Sequence, residues 1–482
     1  PAGNVLYGSG ALVFDSLVAR HGEESLGAFV DAIGGQWIPY RLDAAAHDAF
    51  GVSLTDEWRA WRDSVEVEVG RLDERLGRAG PVTEPERLTH QARWALHPTA
   101  SPDGRWLVYA RSDGRSDVQL RLHDLRTGAS RSLGRTNGLA TFTWTPDGRL
   151  VVAQLEYDGP YRQYQDLYLF DLEGEQRRLT RGARLDQPSA HPDGERVVAV
   201  RHAGGTNGLV VVDLATGEAA ELVAPDPEVH WAFPRWSPDG RWLVASRWTP
   251  GAEHDVVILD ASTGVLVDRV TDDRALDLAP AWSPDGRWVV WSSDRNGIPN
   301  VLAAPVDPSS GAAGDPVRLT NVRTGAGYPS VDPEGRMLYF SGYHVDGWEV
   351  ERIPFRPDAG TPADGPAPRF AATGAQPARD LREGAIEPYS ALSTLGPTYW
   401  EITSADPLVA PGFAQGADTV ARKEVLGFAL GVETSGRDLV GRHAWSAAAR
   451  LTTSGTRLEG GLSYAFLGLG TPRRGVSGRQ PY

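Results

Sequence analysis

The chain has 482 residues, more than one hydrophobic core usually organises, so more than one domain is expected. Its formal net charge of −15 argues against non-specific nucleic-acid binding, because phosphate recognition needs a basic surface and the sequence shows no basic stripe. The absence of cysteine excludes disulfides and thiolate zinc sites, and no apolar run is long enough to predict a membrane-spanning helix.

Residues 1–80 are predicted to be helical. His21-Gly22 and Gly34-Gly35 are expected helix stops, and another helix is expected to begin at Thr55, just before an acidic pair. Residues 63–81 are expected to connect this helical segment to the β-rich repeats. Apolar residues three and four positions apart predict one buried helix face: Leu12, Val13, Leu17, Val18, Leu26, Phe29, Val30 and Ile33.

This helical segment resembles the end of the catalytic domain of zinc peptidases of the MA (gluzincin) type. The resemblance is carried by Gly8-Ser9-Gly10-Ala11-Leu12-Val13-Phe14, His21-Gly22-Glu23-Glu24, Phe50-Gly51-Val52-Ser53-Leu54 and Trp58. That family's zinc helix carries H-E-x-x-H. The most similar stretch here, His21-Gly22-Glu23-Glu24-Ser25, has one His where two are needed, so zinc is not expected in this chain. Two interpretations stay open: an unrelated helical cap, or the tail of such a domain, whose catalytic part would precede Pro1.

A Pro-Asp-Gly turn, or the variant Pro-Glu-Gly, recurs six times between β-rich apolar runs. Pro presets φ, Asp bonds its own backbone and Gly takes a positive φ, which is the chemistry of a hairpin. Steps of 44, 46, 46, 46 and 49 residues separate the central glycines, the spacing of four-stranded propeller blades. These glycines are Gly104, Gly148, Gly194, Gly240, Gly286 and Gly335.

The repeats resemble the TolB-type six-bladed propeller, whose repeat also occurs in the propellers of prolyl oligopeptidases and dipeptidyl peptidases. The resemblance covers residues 82–356, and it includes a recurrent outer-strand signature of the form Arg-Leu-Thr, first seen at Arg87-Leu88-Thr89. Because this first copy precedes the first turn and none comes after the last blade, residues 86–91 are predicted to form the outer strand of blade six. Such a strand would close the ring and remove exposed sheet edges.

Candidate binding residues lie where the innermost strands begin, because blades converge at a central channel there. Asp186, Asp277 and His230 could together hold a calcium ion or a peptide terminus. Alternatively, the two carboxylates cap turns before Pro188 and Pro280, and His230 is a hydrogen-bonded loop histidine. The candidates at this channel mouth are Trp94, Thr141, Asp186, Gln187, His230, Trp231, Asp277 and Tyr328.

A second candidate surface is the hairpin loop of blade two, which carries Tyr157, Tyr161 and Tyr164. Aromatic side chains in an exposed loop can stack on a protein partner. The alternative is that the loop covers the edge of its own blade.

Residues 357–386 are rich in Pro, Ala, Gly and charge, and they are predicted to form a flexible linker. Residues 387–482 contain strands of about ten residues with alternating apolar and small or polar positions, a pattern of outer-membrane barrel strands. This segment resembles the start of the barrel in bacterial peptidase-propeller-barrel proteins. A soluble β-sandwich fragment remains the alternative.

A serine-hydrolase domain is not expected. The string closest to a G-x-S-x-G elbow is Gly461-Leu462-Ser463-Tyr464-Ala465, which lacks the last Gly and lies within an alternating strand.

The sequence therefore predicts a mainly β protein, a six-bladed propeller with a small N-terminal helical segment and a C-terminal antiparallel β segment. We expect a non-catalytic platform for protein or peptide binding or gating in a periplasmic or outer-membrane-associated bacterial protein, with no cofactor other than a calcium ion that the channel could hold. The alternative is the non-catalytic portion of a propeller-containing zinc metallopeptidase.

Overall fold

The computed structural model describes residues 2–34, 36, 41–90, 93–250, 254–363, 389–405, 429–452 and 457–466. The chain divides into two compact units, one spanning Glu68–Gly374 and the other formed by Ala2–Val67 with Ala375–Tyr482.

In the described part of the first unit, six antiparallel sheets follow one another along the chain, four of them built from four successive strands. The strands of blades one to three are β2 Trp94–Ala100, β3 Trp106–Ser112, β4 Gln119–Asp124 and β5 Ser130–Arg135; β6 Thr141–Trp144, β7 Leu150–Tyr157, β8 Gln163–Phe170 and β9 Gln176–Arg178; β10 Leu185–Ala190, β11 Arg196–Ala203, β12 Thr206–Asp213 and β13 Ala219–Val223. Those of blades four to six are β14 His230–Trp236, β15 Trp242–Trp248, β16 His254–Asp260 and β17 Leu266–Arg269; β18 Asp277–Trp282, β19 Trp288–Ser293, β20 Asn300–Pro305 and β21 Val317–Arg318; β22 Ala326–Val331, β23 Met337–His344 and β24 Gly347–Pro354.

The fourth strand of blade six comes from the beginning of the ring. Strand β1 (Glu86–Arg87) pairs with β24, Glu86 lying opposite Arg352, and the amide of Leu88 donates to the carbonyl of Val350 at 2.8 Å. Inner strands of neighbouring blades contact one another, and β22 of blade six contacts β2 of blade one. The predicted closure of the ring by the segment beginning at residue 86 is therefore confirmed.

The repeated turns have the predicted hairpin chemistry. In blade five, Ser283 Oγ donates to Asp285 Oδ1 at 2.5 Å, and the same oxygen accepts the Arg287 amide at 3.1 Å. Gly286 has a φ of 70°, a backbone conformation in which a residue with a side chain would be strained. The turn is thus determined by four consecutive residues and recurs wherever they recur.

Tryptophans before three of the turns fill the space between blades. Trp144, Trp236 and Trp282 are buried. The indole nitrogens of Trp144 and Trp282 donate to Thr99 O and Arg235 O of the preceding blade, both at 3.1 Å. Their role is structural, because a large ring packs the wedge and its N–H joins adjacent inner strands.

The outer-strand signature ties the fourth strand of a blade to the third. In blade two, Arg178 Nη2 lies 2.6 Å from Asp166 Oδ2, and Thr180 Oγ1 donates to Asp166 Oδ1 at 3.0 Å. The corresponding acceptor is Asp255 in blade four and Asn300 in blade five. In each of these blades one buried polar side chain therefore collects the donors.

Residues 357–363, where the predicted linker begins, continue the ordered structure of the ring. A short 3-10 helix spans Pro357–Ala359, and strand β25 (Thr361–Pro362) pairs with β21 as a fifth strand of blade five. The remainder of the predicted linker, residues 364–386, lies outside the described residues.

Among the described residues before the ring there are four helices: α1 Ala2–His21, α2 Glu23–Gly34, α3 Leu42–Phe50 and α4 Leu54–Ala79. The helix stops predicted at His21 and Gly34 are confirmed, whereas the predicted apolar face is only partly buried, because Leu12 and Val30 are exposed. Residues 63–79 continue α4 as one helix, so the predicted connection to the repeats is helical, in agreement with the helical prediction for residues 1–80. A small core unites α1–α3: Leu17, Phe29, Ala45, Ala46 and Phe50.

The C-terminal strands form one antiparallel sheet in the order β26 (Tyr399–Ala405), β27 (Ala429–Arg437), β28 (His443–Thr452) and β29 (Arg457–Phe466), preceded by a single helical turn, α5 (Ala391–Thr394). Its register aligns Ile402 with Val432 and Trp400 with Thr434 and Leu462. The predicted strands around residues 445–451 and 458–466 are confirmed. The strand predicted from residue 426 is seen from Ala429, because residues 426–428 lie outside the described residues.

None of the described helices is both long and apolar enough to span a lipid bilayer.

Candidate functional site

A cavity of about 460 Å³ occupies the central channel of the ring. All six inner strands contribute to its wall, mostly through residues between the middle of the strand and the turn after it. Turn residues Pro102, Pro146, Pro192, Pro238 and Pro284 surround its outer end. The cavity thus opens where the innermost strands end, whereas the sequence predicted a site where they begin.

The inner strands share a bulge that sets the inner end of this cavity. Five non-glycine residues there have φ between 50° and 59° and are each followed by proline: His97, Gln187, Phe233, Ala279 and Tyr328. The strand register shifts at each of these points. Proline is tolerated because the inner strand is an edge strand, and a bulge re-aims its side chain. Blade two has Thr141 at this position and no register shift.

Three of the bulge side chains form an aromatic layer across the channel. The ring centroids of His97 and Tyr328 are 4.2 Å apart, those of His97 and Phe233 6.0 Å, and those of Phe233 and Tyr328 5.9 Å. These residues come from blades one, four and six, and Phe142 of blade two lies edge-on to His97 at 6.4 Å. The cavity lining stops at this layer, which forms its inner end.

One cationic side chain lies in the wall just above the aromatic layer. Arg235 Nη1 donates to the carbonyls of Pro188 at 3.3 Å and Pro234 at 3.0 Å. Burial lowers the pKa of Arg235 to about 10, while Asp186 acts in the opposite direction, so the guanidinium stays charged at neutral pH. Burial and the nearby Arg235 lower the pKa of His97 to about 3, so that imidazole is neutral.

Asp186 and Gln187 support this end of the cavity from behind. Thr141 Oγ1 donates to Asp186 Oδ1 at 2.6 Å, and the backbone N–H of Gln187 donates to the same carboxylate oxygen at 2.7 Å. The side-chain oxygen of Gln187 accepts the Phe233 amide at 2.6 Å. These bonds join blades two, three and four. Of the predicted mouth residues, Thr141 and Tyr328 line the cavity.

The other predicted mouth residues lie apart from the cavity. Trp94 is partly exposed, and His230 stacks edge-on against Trp248 at 5.5 Å. Trp231 is buried, and its backbone forms two bonds with the Asn207 side chain, at 2.7 and 2.9 Å. The structure therefore does not bring His230 and Trp231 together with Asp186 in one site.

Asp277 belongs to a separate cluster between blades four and five. One carboxylate oxygen each from Asp255, Asp273 and Asp277 lie within 4.8 Å of one another, the one such group of metal-ligand type found among the described residues. Arg295 Nη2 approaches Asp273 at 3.3 Å and Asp277 at 3.4 Å. Burial, reinforced by the charges of Asp277 and Asp272, raises the pKa of Asp255 to about 6, and burial also raises the pKa of Asp277.

This acidic cluster has ligand chemistry for a hard cation, but Arg295 already supplies one positive charge. The expected grouping of Asp277 with Asp186 and His230 is replaced by Asp255 and Asp273 as its neighbours. Asp277 also accepts the Trp291 indole N–H at 3.0 Å, which favours a structural role at the blade interface.

The tyrosine loop of blade two projects from the ring. Tyr161 is 95% exposed and Tyr157 62% exposed, whereas Tyr164 is partly buried. The Tyr164 hydroxyl accepts a hydrogen bond from Arg184 at 2.8 Å, and the guanidinium carbon lies 4.2 Å from the ring centroid. Two of the three tyrosines are thus available for contact.

Sequence reasoning missed His97, Phe233 and Arg235. A signal for them exists in the register of the inner strands, since proline stands two residues before the last strand residue in five blades. When the six inner strands are aligned on this proline, the residue after it is Thr99, Thr143, Ser189, Arg235, Ala281 and Ser330 in blades one to six. Arg235 is thus a large cationic residue at a position that is small in the other five blades.

The comparison with protein families agrees with this geometry. The model described as the TolB beta propeller domain matches residues 186–350, from the inner strand of blade three into the third strand of blade six. Over these residues the ring is similar to the TolB beta propeller domain. A search of functionally curated proteins gives no match to the chain.

Solved structures similar to the chain include a putative TolB from Agrobacterium tumefaciens, at 18% identity and a TM-score of 0.40, covering 55% of this chain and 91% of that one. TolB from Acinetobacter baumannii matches at 19% identity and a TM-score of 0.38, covering 54% of this chain and 63% of that one. A gluconolactonase from Xanthomonas campestris matches at 18% identity and a TM-score of 0.42, covering 57% of this chain and 98% of that one. At such values no ligand or activity transfers to this TolB-like ring.

Proposed function

We propose that the TolB-like ring is a non-catalytic platform that binds a protein or peptide segment in a bacterial envelope protein. The observation that carries the proposal is the channel cavity, which is open at the turns and bounded inside by the layer of His97, Phe233 and Tyr328. Its size lies within the range of pockets that hold a ligand, roughly 300–1,000 Å³.

The lining suits a peptide. Prolines and aromatic rings supply rigid apolar surface, which binds at low entropic cost, and the hydroxyls of Thr143 and Ser330 add a few polar contacts. Exposed Tyr157 and Tyr161 offer a second contact area on the same ring.

A substitution that fills the channel tests this proposal. Ala281 lines the cavity in blade five at the position that Arg235 occupies in blade four, so a large side chain there enters the channel. We expect Ala281→Trp to lose the proteins that the wild-type chain captures from a bacterial envelope extract, measured by quantitative mass spectrometry. Val345→Trp, at a fully exposed position, is the matched control. Equal capture by Ala281→Trp and wild type would refute a channel-based platform.

The alternative function, a non-catalytic portion of a propeller-containing zinc metallopeptidase, is favoured by one observation. The core shared by α1–α3 has five buried apolar residues among the described ones, which is small for an independent domain. Such a segment fits the tail of a larger domain. An H-E-x-x-H helix encoded directly upstream would support this alternative, and a secretion signal there would contradict it.

Outer-membrane association is proposed for the C-terminal sheet. Leu430, Val432, Leu451, Leu458 and Leu462 lie on one face of the sheet by its register, and all are exposed. The opposite face carries Glu433, Arg450 and Glu459. A sheet with one exposed apolar face is suited to a lipid surface. Flotation of the chain with lipid vesicles tests this, and recovery of all protein in the lipid-free fraction would contradict it.

A further inference from the structure

Among the described residues that line the channel cavity, Arg235 is the one permanently charged side chain. In the other five blades the equivalent residue is Ala, Ser or Thr, so the guanidinium has no counterpart around the ring. No Asp or Glu is among the described residues that line this cavity, although the whole chain has a formal charge of −15. The lining itself therefore carries a positive charge in an acidic protein, and the Asp186 carboxylate, which acts on Arg235, is not among the residues that line the cavity.

Arg235 is held in place by one of its two terminal nitrogens. Nη1 donates to Pro188 O and Pro234 O, which lie one residue beyond the bulge residues Gln187 and Phe233. Nε and Nη2 form no hydrogen bond with a described residue, and no described carboxylate forms an ion pair with Arg235. Three N–H groups in a planar fork thus remain available beside the aromatic layer.

The location of this fork selects the kind of chain that can reach it. From Pro188 and Pro234, whose carbonyls hold the guanidinium, to the turn prolines Pro192 and Pro238 is four residues, so the guanidinium lies roughly 13 Å below the rim. An internal loop would have to bring two antiparallel strands, spaced about 5 Å apart, into a cavity near the lower end of ligand-pocket sizes. A single chain end needs only one strand's width.

Charge then selects which chain end fits. An N-terminal ammonium group would approach Arg235 with like charge in a partly desolvated site, which is unfavourable. A carboxylate matches the planar fork and can accept two parallel N–H bonds. His97, neutral beside the guanidinium, adds no second positive charge and leaves ring nitrogens for hydrogen bonding.

We infer that Arg235 is a carboxylate receptor and that the ligand of this channel is a peptide segment entering by its C-terminus. This inference rests on the proposed function, since it names the ligand class of the same cavity. The remainder of the segment would lie along the proline and tryptophan wall toward the turns.

The test compares two matched libraries on the full 482-residue chain. One contains N-acetylated tetrapeptides with free C-terminal acids and the other contains the same peptides as C-terminal amides. Binding is measured by saturation-transfer NMR, followed by calorimetry on the strongest peptides. We expect the acids to bind about 10- to 100-fold more tightly than the amides, the range for a hydrogen bond to a charged group in a desolvated site. Arg235→Gln should remove this difference, and Arg287→Gln, at an exposed turn position, should preserve it.

Each outcome has a distinct meaning. Equal binding of acids and amides, lost in Ala281→Trp but unchanged in Arg235→Gln, overturns the carboxylate inference and leaves the channel platform intact. If neither library binds, both the carboxylate inference and peptide binding in the channel are overturned. N-acetylalanine is added as a competitor. If this small acid binds as tightly as the tetrapeptides, the ligand of the channel is a small carboxylate and not the end of a peptide chain. Thermal unfolding of each variant verifies that the ring is folded.

Discussion

Replacing Asp255 by Asn should stabilise the ring at neutral pH. Asp255 is only 7% exposed and lies beside Asp273 and Asp277. Its Oδ1 accepts bonds from Thr271 Oγ1 at 3.3 Å and from the Asp273 amide at 3.1 Å. In blade five, Asn300 Oδ1 accepts the equivalent bonds from Thr320 at 2.9 Å and Val322 at 3.0 Å. An Asn at 255 can therefore accept both hydrogen bonds through its Oδ1 while removing the charge.

The magnitude is set by the pKa of Asp255, which burial raises from 3.8 to about 6. About two pKa units at 1.36 kcal/mol each give a ceiling of roughly 3 kcal/mol, and relaxation of the cluster should reduce the gain to about 1–2 kcal/mol. Because the folded pKa is raised, the folded state binds the proton more tightly. The wild type is thus favoured below about pH 4, and it loses this stability as pH rises through 6.

Calorimetric unfolding at pH 4 and pH 8 measures the effect. Asp255→Asn and wild type should unfold at similar temperatures at pH 4, and the variant should unfold a few degrees higher at pH 8, because about 1 kcal/mol corresponds to roughly 2–4 °C for a domain of this size. Asp166→Asn is the matched control. Its carboxylate pairs with Arg178 at 2.6 Å, so the same change should destabilise blade two. The reasoning would be refuted if Asp255→Asn did not raise the unfolding temperature at pH 8, or if it raised the unfolding temperature equally at both pH values.

Three further predictions concern other parts of the chain. Thr89→Val should destabilise the ring by about 2 kcal/mol in urea unfolding, because the Thr89 hydroxyl donates to buried Glu349 at 2.5 Å across the closure of the ring. Unchanged stability would argue against closure at that strand. Tyr161→Ala should leave unfolding within about 0.5 kcal/mol of wild type, since the side chain is 95% exposed, and should weaken capture of the envelope partner. Unimpaired capture would remove the loop from the binding surface. Leu462→Glu, at a side chain 78% exposed, should reduce vesicle flotation without lowering the unfolding temperature, and undiminished flotation would contradict a lipid-facing role for that face of the sheet.

Several features of the ring were predictable from short windows of sequence. Turn geometry depends on four adjacent residues, such as Ser283 to Gly286, and their regular recurrence gives the number of blades. The pairing of Glu86 with β24 was predictable because one outer-strand signature precedes the first turn, whereas none follows the last blade. These conclusions needed no knowledge of distances.

The helical segment shows where local patterns mislead. Leu12 and Val30 have helical spacing but remain exposed, since the partner that would bury a face is not encoded in the face itself.

By itself the sequence determined the six-bladed ring, its turns, its closure and the C-terminal strands, because each depends on neighbouring residues and a fixed repeat. Only the tertiary structure decided which end of the channel carries the cavity. His97, Phe233 and Tyr328 meet because bulges in three different blades turn their side chains toward a common axis. Asp277 joins Asp255 rather than Asp186 because the spacing of neighbouring blades, and not position along the chain, determines which carboxylates are close.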